Sequence, residues 1–373
     1  MPLYGSVMQE KLPVVLDIGT VYTKIGFAAE AYPRHIIPTK VFVSTNGKTK
    51  NLFEYEKLSE FYDQMVDFLQ EVFFKYVLVS PKDRKVVLVE SSFNPTAIRE
   101  TIAKVLFRHF EVSSLLFVPT HLVSLSCLAV DTAVVVDLGY KETTILPVYC
   151  GVQILNAFNS QEYGGEKIHA EIKKQLLETG VEEEYLTEEV LEDIKVRTCF
   201  VTTFERAQQY REEKPPTAPP DVEYPVHGKE IIKIPGKLRE TVMEIFFAED
   251  NDNSSLPHQI LDAILKCNMD MRKILAENIF LIGGTSMIMG LMARLKSELL
   301  YLKDSNIYKD KLYIKTMKFH KAPAKSNFTA WLGGSIYGGT ESVLNKYLCK
   351  ADYSKCPRVP DFINLDDNKA CSW

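Results

Sequence analysis

At 373 residues the chain is too long for one small core and long enough for two domains or two lobes of related architecture. An ordinary globular composition and a formal charge of −5 with no dominant Lys/Arg cluster argue against nucleic acid or an anionic membrane as partner. Seven cysteines, odd in number and without CxxC spacing, read as buried or free thiols of a reducing compartment, cytosol or nucleus, and exclude a disulfide framework or a zinc site.

Glu10 and Lys11 precede a short apolar strand, and the start lacks the basic, long apolar and small-residue regions of an export signal. Val14 to Phe27 reads as a β-hairpin, followed by a loop through Pro33, Arg34 and Pro38. The polar stretch Ser44 to Lys57 offers Asn46 and Gly47 as a hairpin turn, and Glu60 to Phe74 carries Phe61, Met65, Phe68, Leu69 and Val72 at helical spacing. Val86 to Val89 is a buried strand. Asn94 and Pro95 open a helix with Ile98, Ile102, Val105 and Leu106 on one face. Leu115 to Val136 could be mistaken for a membrane span, but Pro119, His121 and Asp131 interrupt it, so strand, buried helix and strand are expected, without membrane insertion.

Ala133 to Pro147 reads as a second hairpin. A Tyr163, Gly164, Gly165 loop then leads into a helix over Ile168 to Leu177, and the acidic run Glu182 to Glu184 reads as solvated. A helix is expected over Leu191 to Phe204, and the run from Pro215 to Pro220 as a stiff surface connection. Tyr224 to Ile234 alternates as a strand pair around His227 and Gly228; Thr241 to Phe247, Gln259 to Lys266 and Asp270 to Ala276 read as helices. The strand Asn278 to Ile282 ends in Gly283, Gly284, Thr285 with the helix Leu291 to Leu302 directly after it, so the backbone N–H groups of the turn and helix start point above the strand. A comparable turn is expected at Trp331 to Ser335, where close packing is the competing explanation of the glycines.

One pattern occurs twice. Val14 to Gly26 runs through Asp17, Ile18, Gly19 and Thr20 to Thr23 and Lys24. Ala133 to Thr144 runs through Asp137, Leu138, Gly139 and Tyr140, with Thr143 again six residues after the aspartate. An aspartate ending a buried strand can hold a hydrated cation, and Gly with Thr lets N–H and hydroxyl groups approach an anion such as phosphate. The repeat implies a duplicated core.

With these turns, the order hairpin, βαβ, hairpin, helices, GGT resembles the actin, Hsp70 and sugar-kinase superfamily. The likeness is closer to actin-related proteins, in Phe27 to Arg34, Phe93 to Pro95 with Arg99 and Glu100, Cys267 to Lys273, Ile282 to Met287 and Trp331 to Ile336, and it covers about Val14 to Leu348. Val105 to Leu116, Leu191 to Val201, Leu275 to Met287 and Arg358 to Asp361 resemble the divergent branch found at the pointed end of dynactin.

The resemblance implies an α/β, duplicated actin-like (ribonuclease H-like) ATPase fold, with two lobes around a nucleotide cleft and a reduced second subdomain. The expected division is 1–150, with a reduced insertion at about 38–59, then 151–330 with an insertion at about 205–260, and 331–373 returning to the first lobe as a tail. It further implies ATP or ADP with Mg2+, whose hydration shell Asp17 and Asp137 would hold. Gly19, Thr20 and Lys24 would face phosphate in the first turn, and Gly139 in the second. Gly165 and Lys195 would lie on the sugar and base side, with Gly283, Gly284, Thr285 and Met287 at the diphosphate and adenosine.

Departures from the family pattern shape the functional reading. Val21 replaces a phosphate-loop glycine, Tyr140 and Lys141 replace Asp and Gly, Val196 replaces a ribose-contacting Glu, and Asn327 replaces an adenine-facing Lys. Thr120 and Thr144 occupy the positions of the Gln and His that place the attacking water, and His121 reads as a structural residue. The expectation is bound ATP that turns over slowly or not at all, with no catalytic residue. About twenty residues between Pro38 and Glu60 are too few for a sheet plus a long loop. A non-polymerising subunit is expected, cytoplasmic and cytoskeletal, capping the actin-related filament of dynactin, contacting the other pointed-end subunits and through them dynein and cargo adaptors. An active ATPase or kinase, which should keep a water-positioning group, and a chromatin-remodelling actin-related subunit stay open as rivals.

Overall fold

A computed structural model describes residues 11–43, 47–210, 216–226, 228, 230–252, 254–340 and 346–360. The chain divides into two compact units, Met1–Val130 with Phe328–Trp373, and Asp131–Asn327.

In the first unit Val14, Val15 and Leu16 are buried on both faces of β1 (Val14–Ile18), as a strand covered by helices on either side requires. It pairs antiparallel with β2 (Tyr22–Phe27), placing Asp17 opposite Lys24. The expected loop after it contains β3 (His35–Pro38), which lines up Ile37 with Thr23. The next stretch, expected to be too short for a sheet with a long loop, folds as a two-stranded ribbon, β4 (Lys40–Val43) with β5 (Lys48–Asn51). Its tip, residues 44–46, lies outside the described residues. Buried Val41 and Leu52 anchor this ribbon to the first core, and Lys50 bonds to Glu60 on α1 (Leu58–Glu71). The buried face of α1 carries Phe61, Met65, Phe68 and Leu69. Then β6 (Lys85–Glu90), α2 (Thr96–Lys104), β7 (Ser114–Pro119) and α3 (Thr120–Ser124) follow near their expected places, β6 and β7 extending the sheet in parallel from β1.

The second unit opens with the second hairpin, β8 (Ala133–Leu138) and β9 (Thr143–Tyr149). A boundary near 150 would leave this hairpin in the first lobe; it falls in the second unit because β8 is the parallel neighbour of a later strand there. Short strands β10 (Val152–Gln153) and β11 (Asn159–Gln161) both pair with β9. Helix α4 (Gly165–Glu178) is followed by α5 (Glu188–Thr198), capped by the Thr187 hydroxyl accepting from Val190 N–H. The helix expected to run to Phe204 stops at Thr198, because tertiary hydrogen bonds take over the backbone. Arg239 Nε donates to Thr198 O at 2.9 Å, Phe200 N–H to Arg239 O at 3.0 Å, and Val201 N–H to Met289 O at 2.8 Å.

After α6 (Phe204–Tyr210) the described part of the proline segment, residues 216–220, forms no helix or strand and is held by Arg206 on Thr217 O and Arg239 on Pro220 O. The pair β12 (Val222–Val226) and β13 (Glu230–Ile234) forms as expected, His227 lying outside the described residues. Helices α7 (Gly236–Thr241), α8 (Leu256–Lys266) and α9 (Met269–Ala276) lead to β14 (Ile279–Ile282). A one-turn 3₁₀ segment, Thr285–Met287, separates the glycine turn from α10 (Leu291–Leu302), so that helix does not follow directly. The sheet runs β10-β9-β8-β14-β15, where β15 is Phe319–His320.

On its return to the first unit the chain forms α11 (Thr329–Gly338), β16 (Leu348–Cys349) and α12 (Lys350–Lys355). Trp331 to Ser335 therefore lies inside a helix and makes no turn. Close packing explains its glycines: a Cβ on Gly333 would lie 2.0 Å from Val123 O, and one on Gly334 2.4 Å from a Val89 methyl. The first sheet, β16-β7-β6-β1-β2-β3, repeats the hairpin-then-parallel order of the second. Cys127, Cys150, Cys199, Cys267 and Cys349 are free thiols, whereas Cys356, directly after α12, is disulfide-bonded, contrary to the expectation for the cysteines.

Candidate functional site

In the first unit the turn between β1 and β2 gathers Asp17, Gly19, Thr20 and Lys24. Their register brings the Asp17 carboxylate and the Lys24 ammonium to 3.0 Å, each about 15% exposed. The turn is braced from the shortened insertion, by residues that sequence patterns did not single out. Thr39 Oγ1 donates to Gly19 O at 2.8 Å, Thr39 N–H to Val21 O at 2.8 Å, and Asn51 Nδ2 to Thr20 O at 2.7 Å. Only the polar ends of a short ribbon could have hinted at this.

In the second unit Asp137 lies opposite both Thr144 and Ile282, so its carboxylate sits at the end of two parallel strands beside the glycine turn. Gly283 has φ of +87°, and a Cβ there would meet Asp137 Oδ1 at 2.5 Å and Leu138 O at 2.3 Å. No other residue type fits without strain. Thr285 Oγ1 donates to Gly139 O at 2.8 Å, and Gly165 N–H to Gly139 O at 3.2 Å, so the strand-end turns are tied to each other. Gly284 is open, its nearest Cβ neighbour Asn327 at 3.9 Å, and Asn327 Oδ1 is buried without a hydrogen-bond partner. Met287 is 48% exposed beyond the turn. Asp137, Gly139, Gly165, Lys195, Gly283, Gly284 and Thr285 thus form one neighbourhood.

One side of it is filled by a polar network the sequence does not advertise. The Tyr140 ring covers Gly165, and its hydroxyl donates to Glu188 at 2.8 Å. His169, 3% exposed, has Nδ1 at 2.8 Å from Glu188 and Nε2 at 3.0 Å from Glu192. Lys195 donates to Glu192 at 2.5 Å and lies 3.2 Å from His169 Nε2. Burial pushes the Glu192 carboxyl up, but hydrogen bonds and charge from His169 and Lys195 outweigh it and hold the group at about 2. Burial, reinforced by the Glu188 carboxylate, raises the Tyr140 phenol. The i,i+4 spacing of Glu188 and Glu192 was the available signal, since it sets both on one face of α5.

In the second unit, the strand-end carboxylate of Asp137 beside the glycine turn and the open Gly284 suit a phosphate with a hydrated divalent cation, and the orphaned Asn327 acceptor suits a base edge. Among the described residues no group of three or more His, Cys, Asp or Glu forms a direct metal site. Thr120, 7% exposed, spends its hydroxyl proton on Glu90 O at 2.9 Å, and Thr144 is 4% exposed. No helix among the described residues is long and apolar enough to cross a membrane.

A family model described as Actin matches residues 8–356, most of the chain. The chain belongs to the actin family, and its two repeated sheets are the duplicated α/β fold expected of it. Among curated relatives, Actin-related protein 10 of Dictyostelium discoideum is 28% identical, with 94% of this chain and 87% of that protein covered.

Proposed function

We propose that this actin-family chain is a non-polymerising actin-related protein that caps the pointed end of the actin-related filament in dynactin. It scaffolds the other pointed-end subunits there and, through them, serves dynein-driven transport and cargo attachment in the cytoplasm. The observation that carries the reading is the contraction of the second-subdomain insertion to the β4–β5 ribbon, which leaves no long loop to engage a further subunit. The similarity to a protein named as an actin-related protein, and the dynactin-like stretches of sequence, support it.

The same reading gives the chain ATP or ADP with Mg2+ as a structural ligand. Asp17 and Asp137 would hold the hydrated ion, which when bound neutralises phosphate charge. Gly19, Thr20, Lys24, Gly139, Gly283, Gly284 and Thr285 would hold phosphates, with Lys195, Gly165, Met287 and Asn327 on the nucleoside side. Slow or absent hydrolysis is supported by threonines at the water-placing positions, one with its proton already engaged. Purification from cells with identification of stable partners tests the assembly. Dynactin subunits are expected; a nuclear remodelling complex would replace the proposal.

A further inference from the structure

We infer that Tyr140 closes the sugar face of this site, so that a nucleotide is held through its phosphates and base while its ribose hydroxyls go unread. The inference rests on the nucleotide reading above and concerns only residues of the second unit. A Cβ on Gly165 would lie 2.8 Å from Tyr140 Cδ2 and 3.5 Å from Cε2, so the ring already occupies the space that the glycine leaves. The ring is fixed at its tip by the 2.8 Å hydrogen bond to Glu188 and along its edge by His169, with centroids 5.5 Å apart and planes at 74°.

Lys195, 6% exposed, is committed to Glu192 and His169, and His169 has a carboxylate at each ring nitrogen. Tyr140, His169, Lys195, Glu188 and Glu192 are therefore bonded to one another on this face, so a sugar hydroxyl would have to compete with contacts already made within the chain. Swinging Tyr140 away would take a donor from Glu188 and uncover the His169 edge, a cost that two exposed hydroxyls would not repay. Asn327 Oδ1, in contrast, is still unmatched beside Gly284, so recognition remains on the base side.

The test is equilibrium binding of Mg-ATP and Mg-2′,3′-dideoxyATP to the full-length chain by titration calorimetry. The two dissociation constants are expected to agree within about threefold, whereas a site that hydrogen-bonds both hydroxyls loses about tenfold or more when they are removed. Tyr140→Asp uncovers Gly165 and supplies an acceptor, and is expected to tighten ATP by about tenfold while leaving dideoxyATP unchanged. Dideoxy binding to the wild type about tenfold weaker than ATP would overturn the inference and leave the nucleotide reading standing. Binding of neither ligand would remove that reading and the inference with it.

Discussion

Gly283 and Gly284 are adjacent, yet the structure gives them different tasks. Gly283→Ala forces a side chain into a left-handed conformation and against Asp137 and Leu138; the expected loss is about 2–4 kcal/mol of stability, read by urea denaturation. Gly284 has helical dihedrals and open space, so Gly284→Ala should unfold at nearly the wild-type urea concentration. If that space admits phosphate, the same variant should bind Mg-ATP about tenfold more weakly, and unchanged affinity would remove Gly284 from the site.

Glu192 supplies a pH test. Its folded value, about 2, lies below its unfolded one, so its contribution to stability is complete above about pH 4.5 and disappears as pH falls toward 2. Glu192→Gln should cost about 1–2 kcal/mol at pH 7, after allowance for partial exposure, and progressively less on acidification. A stability gap between the two proteins that is independent of pH from 6 to 2.5 would contradict the network. At this scale the paired aspartates and the GGT turn were legible, because each lies in a contiguous strand-turn pattern. The Tyr140 network was not, because its members are spread over a loop and two helices and meet only in the folded unit.

At the scale of elements, the β4–β5 ribbon acts as a brace. Asn51 and Thr39 hold the carbonyls of the β1–β2 turn, whose Val21 replaces a glycine of the family pattern. Asn51→Ala removes the bond to Thr20 O and the one that Asn51 Oδ1 accepts from Phe53 N–H, an expected loss of about 1–2 kcal/mol with faster release of bound nucleotide, measured by thermal melting and ligand dissociation. Long amphipathic helices and fully buried strands could be read from periodicity. The strands β3, β15 and β16, two to four residues long, could not, because too few residues alternate to define a period. The helical Gly333–Gly334 pair read as a turn because two glycines disfavour a helix in isolation. Here Trp331, fully buried with its indole N–H on Val15 O, sits on a helix that only glycine lets approach Val123 so closely.

At the scale of the whole molecule, the repeated sheet order makes the family membership intelligible, and the duplicated Asp turns made it readable. The division of the chain was less readable. A hairpin declares itself by local pattern, but the sheet it joins is decided by a parallel partner more than 140 residues later, β14 for β8. The insertion between β3 and α1 folds as the small β4–β5 ribbon, and the proposed role as a filament terminator rests on it. The direct measurement adds the purified chain to short filaments of the actin-related filament protein and follows each end by single-filament microscopy. Growth and loss at the pointed end alone should stop at substoichiometric concentration, with no filaments formed by the chain itself. Self-assembly of the isolated chain, or pointed ends that grow and shrink unchanged in its presence, would contradict the account.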